Sequence, residues 1–354
     1  MIVDNIIMKK CKRCLLPEST PGISFDGEGL CNYCQEHKKI EYKGELELIK
    51  MLDSFRNTGK YDCIVTFSGG RDSSYVLLKL AKDYRMRVLA VTYENPYTHF
   101  QANNNIENAI KLLNVDIIRL KPKGFEECFK NNLIAWMRRP SVQFLPMLCI
   151  PCRTMDLDIY RVAKKQKIRC IVNGANPMQL TSFLNALTNI PSKVPFQEAI
   201  VRSLPQILKE VFRNPKYLSP QVIPITVKSY ITALINAMGP KHFGFDISVF
   251  RFFYFIEWNE NEVLSRISSE LNWESPHKKS SQRFDCPISY LKNFICLKTI
   301  GVTKVNDYYA KMLRDGLINP DDALQRMNEE NNFSLNELQE FLKRIGIKNF
   351  RYER

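Results

Sequence analysis

Apolar and polar positions along this chain repeat with two different periods. Short apolar runs at 61–67, 87–93, 116–120 and 168–173 read as buried strands. Between and after them, apolar residues return every three or four positions. That period predicts helices at 45–55, 73–84, 103–113, 156–166, 260–271, 306–314 and 320–328. Asn319 stands where a cap is expected, and Ser334-Leu335-Asn336-Glu337 fits a capping box opening a last helix to residue 344. Strands alternating with helices at this spacing predict an α/β fold, a parallel sheet with helices on both faces. Residues 178–256 have weak periodicity and read as an insertion of helices and long loops.

The first forty residues differ in kind. They carry cysteines and turn formers (Pro17, Pro21, Gly22, Gly27, Gly29) and little apolar periodicity. The expected organisation is therefore a compact module at 1–40, an α/β domain at 41–300 interrupted at 178–256, and a helical tail at 301–354. Apolar residues make up 45% of the 354, enough for a sizeable core. Lysine plus arginine number 51 against 37 acidic residues, a net charge of +14 that favours polyanionic partners. Residues 1–10 lack the apolar core of a signal peptide, and the run 247–258 is interrupted by Arg251. A cytoplasmic protein without a transmembrane segment is expected. Its eleven cysteines then point to metal ligation or buried thiols more than to disulfides.

Ser68-Gly69-Gly70-Arg71-Asp72-Ser73-Ser74 carries the strongest chemical signal. It lies between an apolar strand and an apolar helix. A glycine-rich turn there presents backbone N–H groups beside a helix N-terminus, which suits a phosphate. The spacing differs from a Walker A loop. It resembles the PP-loop of the ATP pyrophosphatase superfamily, whose members split ATP between the α and β phosphates. That resemblance implies that Ser68, Gly69, Gly70, Arg71, Asp72, Ser73 and Ser74 hold ATP. Asp72 and Ser73 are the catalytic candidates, Asp72 either beside Mg2+ or bracing the loop. Tyr93 and Glu94 end one strand, and Gly174 and Asn176 follow another. They face the nucleotide or are plain strand-ending turns.

Cys11-x-x-Cys14 and Cys31-x-x-Cys34 have the spacing of a four-thiolate Zn2+ site, which would stabilise a module too small to fold on its own core. His37 is then an unneeded ligand on the surface. Cys149-Ile150-Pro151-Cys152 is a third knuckle, with Cys286 as its best distant partner. Three cysteines suit a [4Fe-4S] cluster or a metal with an exogenous ligand, or they are buried thiols. Cys63, Cys128, Cys170 and Cys296 read as core residues.

Longer segments resemble one family, the N-acetyl sugar amidotransferases of surface-polysaccharide (lipopolysaccharide and O-antigen) biosynthesis. The similar stretches are 11–23, Gly29-Leu30-Cys31-Asn32-Tyr33-Cys34, Ile256-Glu257-Trp258-Asn259-Glu260, Leu271-Asn272-Trp273-Glu274-Ser275-Pro276, Arg283-Phe284-Asp285-Cys286 and Asp315-Gly316-Leu317-Ile318. The resemblance implies a PP-loop adenine nucleotide hydrolase-like fold with an N-terminal zinc ribbon. It also implies ATP-dependent conversion of an acetamido group on a nucleotide-activated sugar into an acetamidino group. Ammonia would come from separate glutaminase and cyclase-like subunits, since the chain shows no glutaminase nucleophile of its own. One departure is Gly174-Ala175-Asn176-Pro177-Met178, where many PP-loop enzymes carry Gly-His-x-x-Asp-Asp. The alternative is a tRNA 2-thiolation enzyme with an iron–sulfur cluster, the one reading that calls for nucleic acid.

Overall fold

The computed structural model describes residues 9–187, 190, 194, 196–276, 286–348 and 350. The run Arg283-Phe284-Asp285 and the first eight residues lie outside them. Two units divide the chain. One is Glu41–Pro177 with Pro195–Tyr290, and the other combines Met1–Ile40, Met178–Val194 and Leu291–Arg354. The cysteine module and the helical tail, separate in the sequence reading, thus share a unit.

In the larger unit five strands form one sheet: β1 (Cys63–Thr66), β2 (Val88–Tyr93), β3 (Asp116–Leu120), β4 (Cys170–Asn173) and β5 (Ser248–Arg251). Their order is β3-β2-β1-β4-β5, and all four pairings are parallel. Alternation puts Ile64, Leu89, Val91 and Ile171 in a core with Leu157, Tyr160 and Ala163 of helix Met155–Gln166. Helix Arg71–Leu78, outside that cluster, packs on β1 and β4. The expected parallel α/β fold is therefore present. Reversal of strand order at β1, between β2 and β4, places the mouth of the fold at the carboxyl ends of these strands.

Two features depart from the sequence reading. The segment 178–256 is not wholly an insertion, because β5 within it completes the sheet. Only four residues long and partly exposed along its length, this edge strand has too little alternation to stand out. Helix Phe125–Arg138 also goes unannounced, although Phe125, Phe129, Leu133 and Trp136 form its buried stripe. Both expected caps accept a backbone hydrogen bond. The Asn319 side chain accepts from Asp322 N at 2.8 Å, and Ser334 Oγ from Glu337 N at 3.3 Å. Among the described residues no helix is long and apolar enough to cross a membrane.

Helix Glu260–Leu271 is tied by charge to the π-helical stretch Lys79–Asp83 that continues the Arg71–Leu78 helix. Arg266 donates to Asp83 at 2.6 and 3.0 Å and to Glu270 at 2.6 Å. Arg266, with help from Lys79, holds the Asp83 carboxyl down at about 2. A carboxyl depressed on folding contributes stability that is complete above its unfolded value of about 4 and lost as pH falls toward the folded value. Urea midpoints measured from about pH 5 down to pH 2.5 should therefore fall more steeply for the wild type than for Asp83→Asn. Equal slopes would show that this cluster contributes nothing.

Candidate functional site

The loop after β1 is built around one glycine. Gly69 has φ +73°, and a Cβ there would sit 2.1 Å from the Ala102 carbonyl oxygen and 2.9 Å from Ile106. No larger residue fits. The Gly69 carbonyl accepts from Trp273 Nε1 at 3.0 Å and from Asn105 Nδ2 at 3.3 Å. Asn105 also exchanges hydrogen bonds with the backbone of Glu274. Gly174, beyond β4, closes the other side: its Cβ would lie 3.0 Å from the backbone of Asp72 and Ser73. Glycine is required there by close approach, since the loop backbone takes the space of a side chain.

Within the loop the predicted residues separate by task. The Ser68 hydroxyl is exposed, lies 3.2 Å from Ser73 Oγ and accepts from Gly70 N at 3.4 Å. Ser73 Oγ accepts from Ser68 N at 3.3 Å and donates to the Gly70 carbonyl at 3.1 Å. Ser74, fully buried, donates to the same carbonyl at 2.9 Å. Arg71 and Asp72 are each 7% exposed and turn inward. Asp72 Oδ1 accepts from Arg71 Nε at 3.0 Å and from Trp258 Nε1 at 3.1 Å. Arg71 continues to Glu260 at 2.5 Å, with its guanidinium 4.9 Å from the Trp258 ring centre. Of the two roles open to Asp72, bracing is thus visible in its contacts. The open face of the turn, by contrast, is lined by Ser68, Gly70, Ser73 and the first turn of helix Arg71–Leu78, an arrangement suited to a polyphosphate.

Trp258, Glu260, Trp273 and Asn105 had no role assigned from sequence. The signal was present in part, since Trp258 and Trp273 bracket the twelve-residue helix Glu260–Leu271. That spacing lets one rigid element deliver two indole donors to the loop.

The other strand ends make contacts of their own. Tyr93 turns its hydroxyl to Thr154 Oγ1 at 3.0 Å and the Pro151 carbonyl at 3.2 Å, and burial pushes its pKa up to about 12. Glu94 pairs with Lys121 at 3.4 Å and Arg119 at 3.8 Å. Asn176 is buried beside the Gly174 turn. Cys149 and Cys152 flank the Pro151 that Tyr93 touches, and Cys286 Sγ accepts from Asn95 Nδ2 at 3.6 Å. Both parts of the three-cysteine set therefore meet the chain leaving β2. Cys63, Cys128, Cys170 and Cys296 are buried, as expected.

In the smaller unit the sulfurs of Cys11, Cys14, Cys31 and Cys34 all lie within 4.8 Å of one another. The pairs Cys11–Cys34 and Cys14–Cys31 are 3.6 Å apart, well beyond a disulfide bond. Tetrahedral metal–sulfur bonds of about 2.3 Å would place sulfurs about 3.8 Å apart, so the four fit a single ion. Contacts from Cys14 and Cys34 pull Cys31 down toward the thiolate, while the contact with Cys31 drives Cys14 up. Helix Lys304–Asp315 braces both knuckles: Arg13 Nη2 donates to the Arg314 carbonyl at 3.1 Å, and Arg314 Nη1 to the Tyr33 carbonyl at 3.2 Å. His37 is not simply a surface residue. Its Nε2 lies 2.9 Å from Asp315 Oδ1, whose side chain is 5% exposed.

No protein-family model matches the chain. An uncharacterized protein of Methanocaldococcus jannaschii is 28% identical over 172 residues, 47% of this chain and 58% of that relative. The chain thus spans less than two thirds of the length of the curated relative it matches. Among solved structures, NMN synthetase from Francisella tularensis overlaps 82% of this chain and 93% of its own at 16% identity, with a TM-score of 0.33. The U34-tRNA thiolase NcsA from Methanococcus maripaludis, with its [4Fe-4S] cluster, overlaps 98% and 100% at 13% identity, with a TM-score of 0.34. Likeness at this level transfers no chemistry to this chain.

Two substitutions test these sites. Gly69→Ala should weaken ATP binding by more than about tenfold in equilibrium dialysis, because the clash with Ala102 displaces the loop; unchanged affinity would show that the loop conformation is not needed. Cys14→Ser should lose bound metal and unfold the cysteine module, read as metal content and as hydrogen exchange across residues 9–40. Retained metal would remove Cys14 from the ligand set.

Proposed function

We propose that the chain is an ATP-dependent, AMP- and pyrophosphate-forming amidotransferase that acts on a nucleotide-activated acetamido sugar. The observation that carries the proposal is the loop 68–74, held by Trp258, Trp273, Asn105 and Gly174 with its Ser68–Gly70–Ser73 face open at the carboxyl end of β1. Backbone N–H groups and the Ser68 and Ser73 hydroxyls hold the β and γ phosphates. Preorganisation by the tryptophan clamp means that little reorganisation is needed as charge develops on the leaving pyrophosphate. Bound Mg2+ supplies further charge neutralisation. The acetamido oxygen attacks the α phosphorus and pyrophosphate leaves. Ammonia then adds to the activated carbon and AMP departs with that oxygen, releasing a proton and leaving an amidine. The four-cysteine centre is assigned structural Zn2+, and separate glutaminase and cyclase-like subunits supply the ammonia in the cytoplasm.

A second reading, sulfur transfer to tRNA, draws support from the contacts of Tyr93 with Pro151 and of Asn95 with Cys286. These bring a Cys-x-x-Cys knuckle and a third cysteine to the end of one strand, beside the strand that delivers the ATP loop. A [4Fe-4S] cluster held there would serve that chemistry.

Mass spectrometry separates the two. Incubation of UDP-, dTDP- and CMP-linked acetamido sugars with ATP, Mg2+ and an ammonium salt should lower the mass of one of them by about 1 Da, because oxygen is replaced by NH. Salt-dependent tRNA binding together with unchanged sugars would contradict the amidotransferase reading.

A further inference from the structure

Among the described residues of the larger unit, two buried hydroxyls and a half-buried guanidinium come near one another without a hydrogen-bond partner. Arg153 ends the short helix Ile150–Arg153, which packs against helix Ile223–Met238. Thr226 and Tyr230 stand four residues apart on the latter helix and therefore share a face. Among the described residues neither the Tyr230 hydroxyl nor Thr226 Oγ1 has a hydrogen-bond partner, and both atoms are buried. The Arg153 guanidinium, on a half-buried residue, lies within electrostatic reach of Tyr230, Cys149 and Cys152. Among the described residues it has neither a hydrogen bond nor an ion pair. Nearby acids are committed elsewhere: Asp156 accepts from Asn236 at 2.6 Å, and Asp158 from Lys228 at 2.6 Å.

Two buried hydroxyls without partners are costly, and the cation beside them has no carboxylate. Together they are donors awaiting one acceptor-rich anion. A guanidinium fork with two hydroxyls matches the oxygens of a phosphate. ATP already has its own cradle at residues 68–74. The Tyr93 hydroxyl contacts Pro151 and Thr154 on either side of Arg153, so this cluster stands at the carboxyl end of β2, next to the strand that carries the ATP loop.

We infer that Arg153, Tyr230 and Thr226 form the subsite for a phosphate of the second substrate, the nucleotide carrier of the sugar. The inference rests on the amidotransferase reading for the identity of that substrate, and on the orphaned donors for the site itself. A phosphate held there would leave the sugar at the edge where the ATP loop opens.

Equilibrium dialysis with UDP, dTDP and CMP as probes, and with ATP in parallel, tests this. Arg153→Met should weaken the preferred probe by at least about tenfold and leave ATP affinity unchanged, because a charge-assisted hydrogen bond is lost at one site alone. Tyr230→Phe should weaken the same probe less. The probe should raise the melting temperature of the wild type and not that of Arg153→Met. The subsite is overturned if no probe binds the wild type or if Arg153→Met binds it equally well. It is also overturned if the variant loses metal at Cys149 and Cys152 with probe binding intact, or loses tRNA affinity instead. Loss of probe binding in Arg153→Met, in a protein that makes no amidino product, would keep the subsite and remove the amidotransferase reading.

Discussion

The close approach of Gly69 to helix Phe100–Leu113 is the constraint on which the candidate site depends. With the Ala102 carbonyl 2.1 Å from where a Cβ would be, the loop has one place to go. The Gly69 carbonyl then points inward, where Trp273 and Asn105 satisfy it. Asp72 is drawn inward by Trp258 and Arg71 in the same way. Two acceptors of the loop, the Gly69 carbonyl and the Asp72 carboxylate, are thus taken up within the protein. The Arg71–Glu260 pair and the Arg266 cluster fix helix Glu260–Leu271 against the loop helix, so both indoles arrive on one rigid piece.

The smaller unit is organised on a different principle. Its core cluster has the four cysteines at its centre, with Leu16, Phe183, Val302 and Ala310 around them. Three distant stretches of chain contribute to it. Arg314 joins the tail to the cysteine knuckles, and Asp307 accepts from Ser182 N at 2.7 Å to tie in the middle stretch. Loss of the metal would therefore be felt by the tail as well as by the first forty residues.

Local signals were the legible part of the sequence. The strands β1 to β4, the loop, the two knuckles and the caps at Asn319 and Ser334 each declare themselves within a few residues. What the sequence hid depends on partners far along the chain. β5 becomes a strand only by pairing with β4, and its own four residues show no clean alternation. Arg71 and Ser74 read as phosphate ligands because they belong to the loop, yet their side chains face inward, toward Glu260 and the Gly70 carbonyl. Thr154, 61 residues away, sets the direction of the Tyr93 hydroxyl. The same long separation hid His37, whose partner Asp315 lies 278 residues on. Segments resembling the sugar amidotransferases around Trp258 and Trp273 were visible as words without a meaning, and their meaning is the clamp.

The central claim is that this loop splits ATP between the α and β phosphates. The direct measurement is product analysis with ATP labelled at the α phosphate, in the presence of ammonium and the acetamido sugar nucleotides, for the wild type and Gly69→Ala. The account predicts labelled AMP with an equal amount of pyrophosphate from the wild type and neither from the variant. Labelled ADP, or AMP formation that survives Gly69→Ala, would contradict it.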